Sequence, residues 1–360
     1  MAKLTSPEVN ITFIEKGATA IQRGERGVVA LALKESSKTD PIVVYSIADI
    51  PGTLTAENQN FIKDALIGYQ FAPKKVIVYI MDFTPGKIEQ EYQAMMKYFE
   101  QTKFDWLAIP TVETDTKAND IATWIKGLRT NNKLMRKAVL PNVTADCEGI
   151  VNITSSLFTA DNKEIKPEAS TPRIAGLICG TPMDISVTYA PLREYADCTR
   201  LTKSDSDKAV GEGKLVYIFD GDKVKLNRGV NSFTTTTDTK GECFQKIKIV
   251  ETMDMIFDDI KSTCEDSYIG KFANSYDNKC LLITAINAYF LELVRTGLLA
   301  SGNCEIDIDA QRNYLKSQGT LVEQMSDQEI KEANTGSRVF LKANVSILDA
   351  MEDIQLEIYV

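Results

Sequence analysis

Asp353-Ile354-Gln355-Leu356-Glu357-Ile358-Tyr359-Val360, the last eight residues, places Ile354, Leu356, Ile358 and Val360 on one face of an extended chain and polar or amphipathic groups on the other. Just upstream, Arg338 to Leu348 repeats the alternation. Val339, Leu341, Ala343, Val345 and Ile347 form one row, and Lys342, Asn344 and Ser346 the opposite row. The acidic stretch Asp349-Ala350-Met351-Glu352-Asp353 separates the two. A strand that ends at Val360 with nothing after it to cover its edge must pair within its own domain or with another chain. At the other end Val9, Ile11 and Phe13 alternate with Asn10 and Thr12. Periodicity leaves two readings level: both strands fold back into their own domain, or both are arms that reach neighbouring copies.

Composition narrows the class. A chain of 360 residues with 44% hydrophobic and 25% charged residues can bury a large core and predicts two or three domains. A net charge of -9 disfavours nucleic acid and anionic membrane surfaces as main partners and allows a basic protein partner. No apolar signal core follows Met1, and no run approaches the eighteen apolar residues of a membrane helix, so folding in the cytoplasm without membrane insertion is expected. Seven cysteines without a CxxC predict free thiols in a reducing compartment. The absence of histidine excludes triads, Cys-His pairs and most zinc or iron sites, leaving carboxylate or lysine chemistry for any enzyme. Neither a cofactor nor a metal is expected.

Between the ends the pattern is α/β. Gly27 to Leu33, Ile42 to Tyr45 and Val76 to Met81 read as strands buried on two faces, with a helix capped by Thr55 between the last two. A helix over 87–101, a strand at Trp106 to Ile109, a helix over 117–128 and a strand at Ala138 to Leu140 then alternate as βαβ units around a mainly parallel sheet. Pro172 to Thr181 reads as a short packed helix, and Leu215 to Phe219 with Val224 to Leu226 as a hairpin around Asp220-Gly221-Asp222. After the polar loop Thr234 to Gly241 come two long helices, over 244–268 and 278–296. Ile249, Met253, Ile256, Ile260 and Cys264 stripe the first of these, with Asp254, Asp258, Asp259, Glu265 and Asp266 on its solvated side. A strand near Glu305 to Ile308, short helices at 310–316 and 326–332 and the two tail strands complete the chain. The expected domains are an N-terminal arm over 1–20 and a middle α/β region over 21–240, open to a split near 95. A C-terminal α/β domain over 241–352 and a C-terminal arm over 353–360 follow.

The motifs that could carry chemistry are weak. Gly176 to Thr181 has paired glycines without a phosphate-binding lysine or dinucleotide spacing, and predicts a close helix contact. Asp220-Gly221-Asp222 lacks further calcium ligands and predicts a turn. Glu305, Asp307 and Asp309 alternate on one strand face, which predicts solvation rather than a metal. Between the long helices, Asp277 or Asn278 is expected to cap the second; Lys271, Tyr276 and Asp277 would be the centre of a carboxylate- and lysine-dependent cytoplasmic enzyme. A non-contractile adaptor whose arms close rings is a further alternative.

Several blocks in order resemble one family. Arg173 to Leu177, Arg228 to Ser232, Phe244 to Thr252, Tyr268 to Lys271, Asn274 to Lys279, Glu332 to Ser337 and Leu348 to Ile354 are similar to the contractile tail sheath proteins of PBSX-like prophages and Gram-positive R-type bacteriocins. The resemblance implies a structural subunit, not an enzyme. It implies stacked six-membered rings in a helical array around a tail tube, between a baseplate and a terminator, assembled in the bacterial host. Contraction would drive the tube through an envelope without nucleotide hydrolysis. It further implies that N- and C-terminal arms pair with strands of neighbouring copies, and the alternation at the two ends then predicts Val9, Ile11, Phe13, Ile354, Leu356, Ile358 and Val360 as the residues of the inter-subunit strands.

Overall fold

The run Val28-Val29-Ala30-Leu31-Ala32-Leu33 is apolar on both faces, a pattern that suits a strand covered by helices above and below. The computed structural model describes residues 20–24, 26–36, 38–82, 84 and 86–359. The chain divides into two compact units: among the described residues, 23–259 with 347–359 form an α/β unit, and 260–346 with 20–22 form a second. Val9, Ile11, Phe13 and Val360 lie outside the described residues.

In the α/β unit the strands are β1 (Val28–Glu35), β2 (Ile42–Val44), β3 (Lys75–Asp82), β4 (Trp106–Ala108), β5 (Lys137–Pro141) and β6 (Ile150–Ile153). Next, β7 (Leu157–Phe158), β8 (Glu164–Ile165) and β9 (Asp197–Cys198) form a small antiparallel sheet. Finally β10 (Lys214–Leu215) returns to the main sheet, and β11 (Tyr217–Phe219) and β12 (Val224–Leu226) make the expected hairpin. The helices are α1 (Ala56–Ile67), α2 (Ile88–Gln101), α3 (Ala118–Thr130), α4 (Pro167–Cys179), α5 (Lys203–Gly211) and α6 (Ile247–Thr263), whose last turn from Ile260 belongs to the second unit.

The main sheet has the order β10-β6-β5-β4-β1-β3-β2 and is parallel except for β2. That exception corrects one expectation. Ile42 to Val44 is an antiparallel edge with Val43 exposed, because a three-residue strand at the end of the order has a neighbour on one side only. Alternation sorts the core into two layers. Val29, Leu31, Leu33, Val76 and Val78 join Ile62, Ala65, Ile174 and Leu177 of α1 and α4. Val28, Ala30, Ala32, Ile77 and Met81 join Met95, Phe99, Ile121 and Ile125 of α2 and α3. Each such large side chain, withdrawn from water, stabilises the fold by about 1.5–3 kcal/mol. Position 95 therefore sits inside a core helix.

Thr55 caps α1 as expected, its hydroxyl accepting from the Asn58 N–H. Gly176 of α4 faces α1 so closely that a Cβ would stand 2.0 Å from the Ala65 carbonyl oxygen, and one at Gly180 2.1 Å from that of Phe71. The paired glycines thus serve close packing.

The largest departure concerns α6. Asp254 and Asp259 are buried, not solvated. Asp254 forms a two-pronged pair with Arg129 of α3, Nη1 to Oδ2 at 2.7 Å and Nη2 to Oδ1 at 2.9 Å, and lies 3.3 Å from Lys137 Nζ on β5. Glu251, one turn earlier, holds Lys137 at 2.9 Å and accepts from the Trp106 indole N–H at 2.9 Å. A helical pattern shows that α6 has a charged side, but the cations that bury it come from elements more than a hundred residues away. Of the expected apolar stripe, Ile249 is buried while Met253, Ile256, Ile260 and Cys264 are partly covered. Burial alone would raise the Asp254 pKa, but the Lys137 and Arg129 charges hold it below the ordinary value.

The second unit holds α7 (Tyr276–Arg295), β13 (Leu299–Ile306), α8 (Ile308–Ser317), α9 (Asp327–Glu332) and β14 (Leu341–Ile347). The first long helix ends as a π turn, Cys264–Tyr268. Ser275, not Asp277 or Asn278, caps α7, because its hydroxyl accepts the Asn278 N–H. Glu305, Asp307 and Asp309 do not share a strand face: Glu305 is the penultimate residue of β13, whereas Asp307 caps α8 through the Ala310 N–H at 2.9 Å and Asp309 falls in that helix.

Two substitutions test this packing. Gly176→Ala should force α1 from α4 and lower stability by about 1–3 kcal/mol, read from the urea midpoint. Asp254→Asn should cost about 3 kcal/mol, the low end for a broken buried pair because Glu148 and Glu251 still face Arg129 and Lys137. A depressed carboxylate stabilises above its unfolded pKa and loses that contribution as pH falls through its folded pKa, so the deficit of this variant should shrink below about pH 4.

Candidate assembly interface

A doubly wound sheet usually takes its ligand outside the carboxyl ends of its strands, where the order reverses. Here that point lies between β1 and β4, and the chain fills it itself. The Glu168 carboxylate, from the first turn of α4, accepts the backbone N–H groups of Glu113 (3.0 Å) and Thr114 (2.9 Å) and the Thr114 hydroxyl (2.6 Å). Beside it Asp115 is held by Lys34, by the Tyr92 hydroxyl at 2.8 Å and by Thr111. The backbone donors that would cradle a phosphate are therefore spoken for by a carboxylate. An adjacent open cleft of about 880 Å³ is lined by Glu57, Asp64, Glu164, Glu168 and Glu194 with Lys163 and Lys166. Burial pushes Asp64 up to about 6 against the pull of Arg173.

The rival centre does not assemble as a catalytic group. Lys271 donates to the Asp266 carbonyl, while Tyr276 and Asp277 begin α7. Among the described residues, no cluster of three or more metal-ligating side chains occurs, and no helix is long and apolar enough to cross a membrane.

The distinctive geometry is at the tail. Residues 354–359 fall in neither helix nor strand and have no hydrogen-bonded partner strand among the described residues, and Ile354, Leu356 and Ile358 are 82%, 77% and 75% exposed. Upstream, β14 pairs among the described residues only with β13, and its Val345 is exposed, as is Val339 just before it. On β13 the Cys304 N–H donates to Asn287 Oδ1 at 2.6 Å and its carbonyl accepts from Asn287 Nδ2 at 3.1 Å. Both main-chain groups of a strand residue point to one side, so the α7 side chain closes the outer edge of β13 at Cys304. Gly302 allows this approach, since a Cβ there would stand 2.8 Å from that of Phe290. The other edge of the ribbon, that of β14, has no partner strand among the described residues. Sequence reasoning missed Asn287, whose role needs the fold to bring strand and helix together.

Comparisons with known proteins agree along the chain. The phage tail sheath protein central domain matches residues 86–232, and the phage tail sheath C-terminal domain matches residues 239–360. A tail sheath protein of Clostridium phage phiCD119 is 40% identical over 357 residues, covering 97% of this chain and 98% of that one. The phage-like element PBSX protein XkdK of Bacillus subtilis is 30% identical over 176 residues, 48% of this chain and 38% of its own length. Among solved structures, a sheath tail protein from Desulfitobacterium hafniense has a TM-score of 0.68 at 18% identity, over 83% of this chain and 94% of that one. The helical sheath of the anti-feeding prophage in its contracted state has a TM-score of 0.69 at 13% identity, over 99% of both chains. An exposed apolar tail, an open ribbon edge and a ligand point closed from within thus sit in a chain that belongs to the phage tail sheath protein family.

Proposed function

We propose that this chain polymerises helically around a tail tube and that the sheath contracts to drive the tube through a bacterial envelope. The observation that carries the reading is the combination of an exposed apolar row, Ile354, Leu356 and Ile358, with a strand edge at β14 that none of the described residues fills, in a member of the sheath family. A strand handed to a neighbour's open edge is a head-to-tail join, and such joins build helical arrays when their rotation does not close.

Val9, Ile11 and Phe13 at one end, and Ile354, Leu356, Ile358 and Val360 at the other, are the residues proposed to pass between subunits. About four to six backbone hydrogen bonds at roughly 1 kcal/mol net each, with a few apolar side chains at about 1.5–3 kcal/mol, make a join that survives while the bodies repack. The partners of this reading are further copies in stacked six-membered rings, the tail tube protein, and baseplate and terminator proteins. Assembly takes place in the host cytoplasm and the product leaves in a phage or phage-tail-like particle. Movement is a rigid-body change between two packings.

A chain lacking residues 354–360 should fold with unchanged thermal unfolding and form no tubes in negative-stain microscopy under conditions where the full chain does. Long tubes from the shortened chain would refute the role of the C-terminal arm.

A further inference from the structure

The tail leaves the α/β unit through a built ionic clasp. Glu352 has a side chain 6% exposed, although its neighbour Met351 is 94% exposed. Glu352 Oε1 accepts from the Ser186 hydroxyl at 3.0 Å and from the Thr188 hydroxyl. Its Oε2 lies 3.2 Å from Arg228 Nε and 3.3 Å from Lys246 Nζ. Arg228 also holds Asp353, Lys246 also holds Asp349, and Lys248 donates to the Leu348 carbonyl. Every residue from Leu348 to Asp353 lies within two positions of an anchored one, whereas among the described residues no such contact holds 354–359 to the body.

Local structure builds the receiving side. Val230 bridges Lys246 in antiparallel fashion, with Asn231 N–H to the Gln245 carbonyl at 2.9 Å and Ile247 N–H to that of Gly229 at 3.0 Å. The pairing places Arg228 and Lys246 on the same carboxylate. A Cβ on Gly229 would stand 2.8 Å from Val187 Cγ2 and 3.2 Å from Ser186 Oγ. Without one, the Gly229 N–H reaches the Thr188 hydroxyl oxygen at 2.9 Å and orients it toward Glu352. The Arg228-Gly229-Val230-Asn231-Ser232 segment, conspicuous in the sequence without a role, thereby acquires one. Burial would raise the Glu352 pKa, but the two hydroxyls, Lys246 and Arg228 together hold it below the ordinary carboxylate value.

We propose that Glu352 and its partners are the mechanical anchor of the C-terminal arm, fixing 348–353 to the α/β unit so that a neighbour holding 354–360 pulls on the body rather than peeling β14 away. The proposal rests on the arm reading above. A strand edge pulled from its free end opens one hydrogen bond at a time, whereas a cluster of charged contacts loaded together must give way as a unit.

The test uses the full chain, a Glu352→Gln variant, a Ser186→Ala variant that keeps every charge, and the chain lacking 354–360. Hydrogen exchange over 348–353 in unassembled protein should speed up roughly tenfold in Glu352→Gln, and less in Ser186→Ala, while core peptides of β1 and β3 exchange as before. Tubes of Glu352→Gln should form but fragment under mild shear that leaves wild-type tubes at full length. Unchanged exchange, or tubes that resist shear as the wild type does, overturns the anchor. If the shortened chain makes no tubes while Glu352→Gln behaves as wild type, the anchor alone falls. Tubes from the shortened chain overturn the arm reading and the anchor with it.

Discussion

Asp254 lies in the interior of the α/β unit, and a carboxylate there is tolerable only while Arg129 and Lys137 face it. This requirement ties three parts of the chain that are far apart in sequence: α3, β5 and α6. Apolar packing alone would let α6 slide or turn along the sheet at little cost. Two fixed prongs from Arg129, with Lys137 shared between Asp254 and Glu251, admit one position. Because α6 leads out of the α/β unit, its placement also fixes where residue 259 ends that unit.

Much of the scaffold could be read from local pattern. Continuous apolar runs marked β1 and β3, and helical spacing marked α1, α2, α3 and the long helices, because two-sided burial and amphipathic periodicity are written in neighbouring residues. What escaped was set by partners distant in sequence. The strand Ile42 to Val44 carries the composition of a buried strand, yet the topology leaves it at an edge. The acidic side of α6 looks like a solvated face until Arg129 and Lys137 arrive. The row of Glu305, Asp307 and Asp309 broke because Asp307 starts a helix, a choice between two periodicities that three alternating acids cannot decide.

The ends of the chain divide along the same line. Alternation in 353–360 is visible in the letters, and the exposure of Ile354, Leu356 and Ile358 is the structural counterpart of having no inner face to cover them. The acidic stretch before them looked like a mere interruption, but Glu352 and its cationic partners make it a fixed point. Asn287 stoppers one side of β13 with a single side chain, which no spacing announces.

Glu168 carries a different implication. Being part of the polypeptide and positioned by α4, it competes for the Glu113 and Thr114 amides at an effective molarity that dissolved nucleotide or inorganic phosphate does not approach. A phosphate seeking those two amides would first have to displace a carboxylate that the fold itself keeps in place.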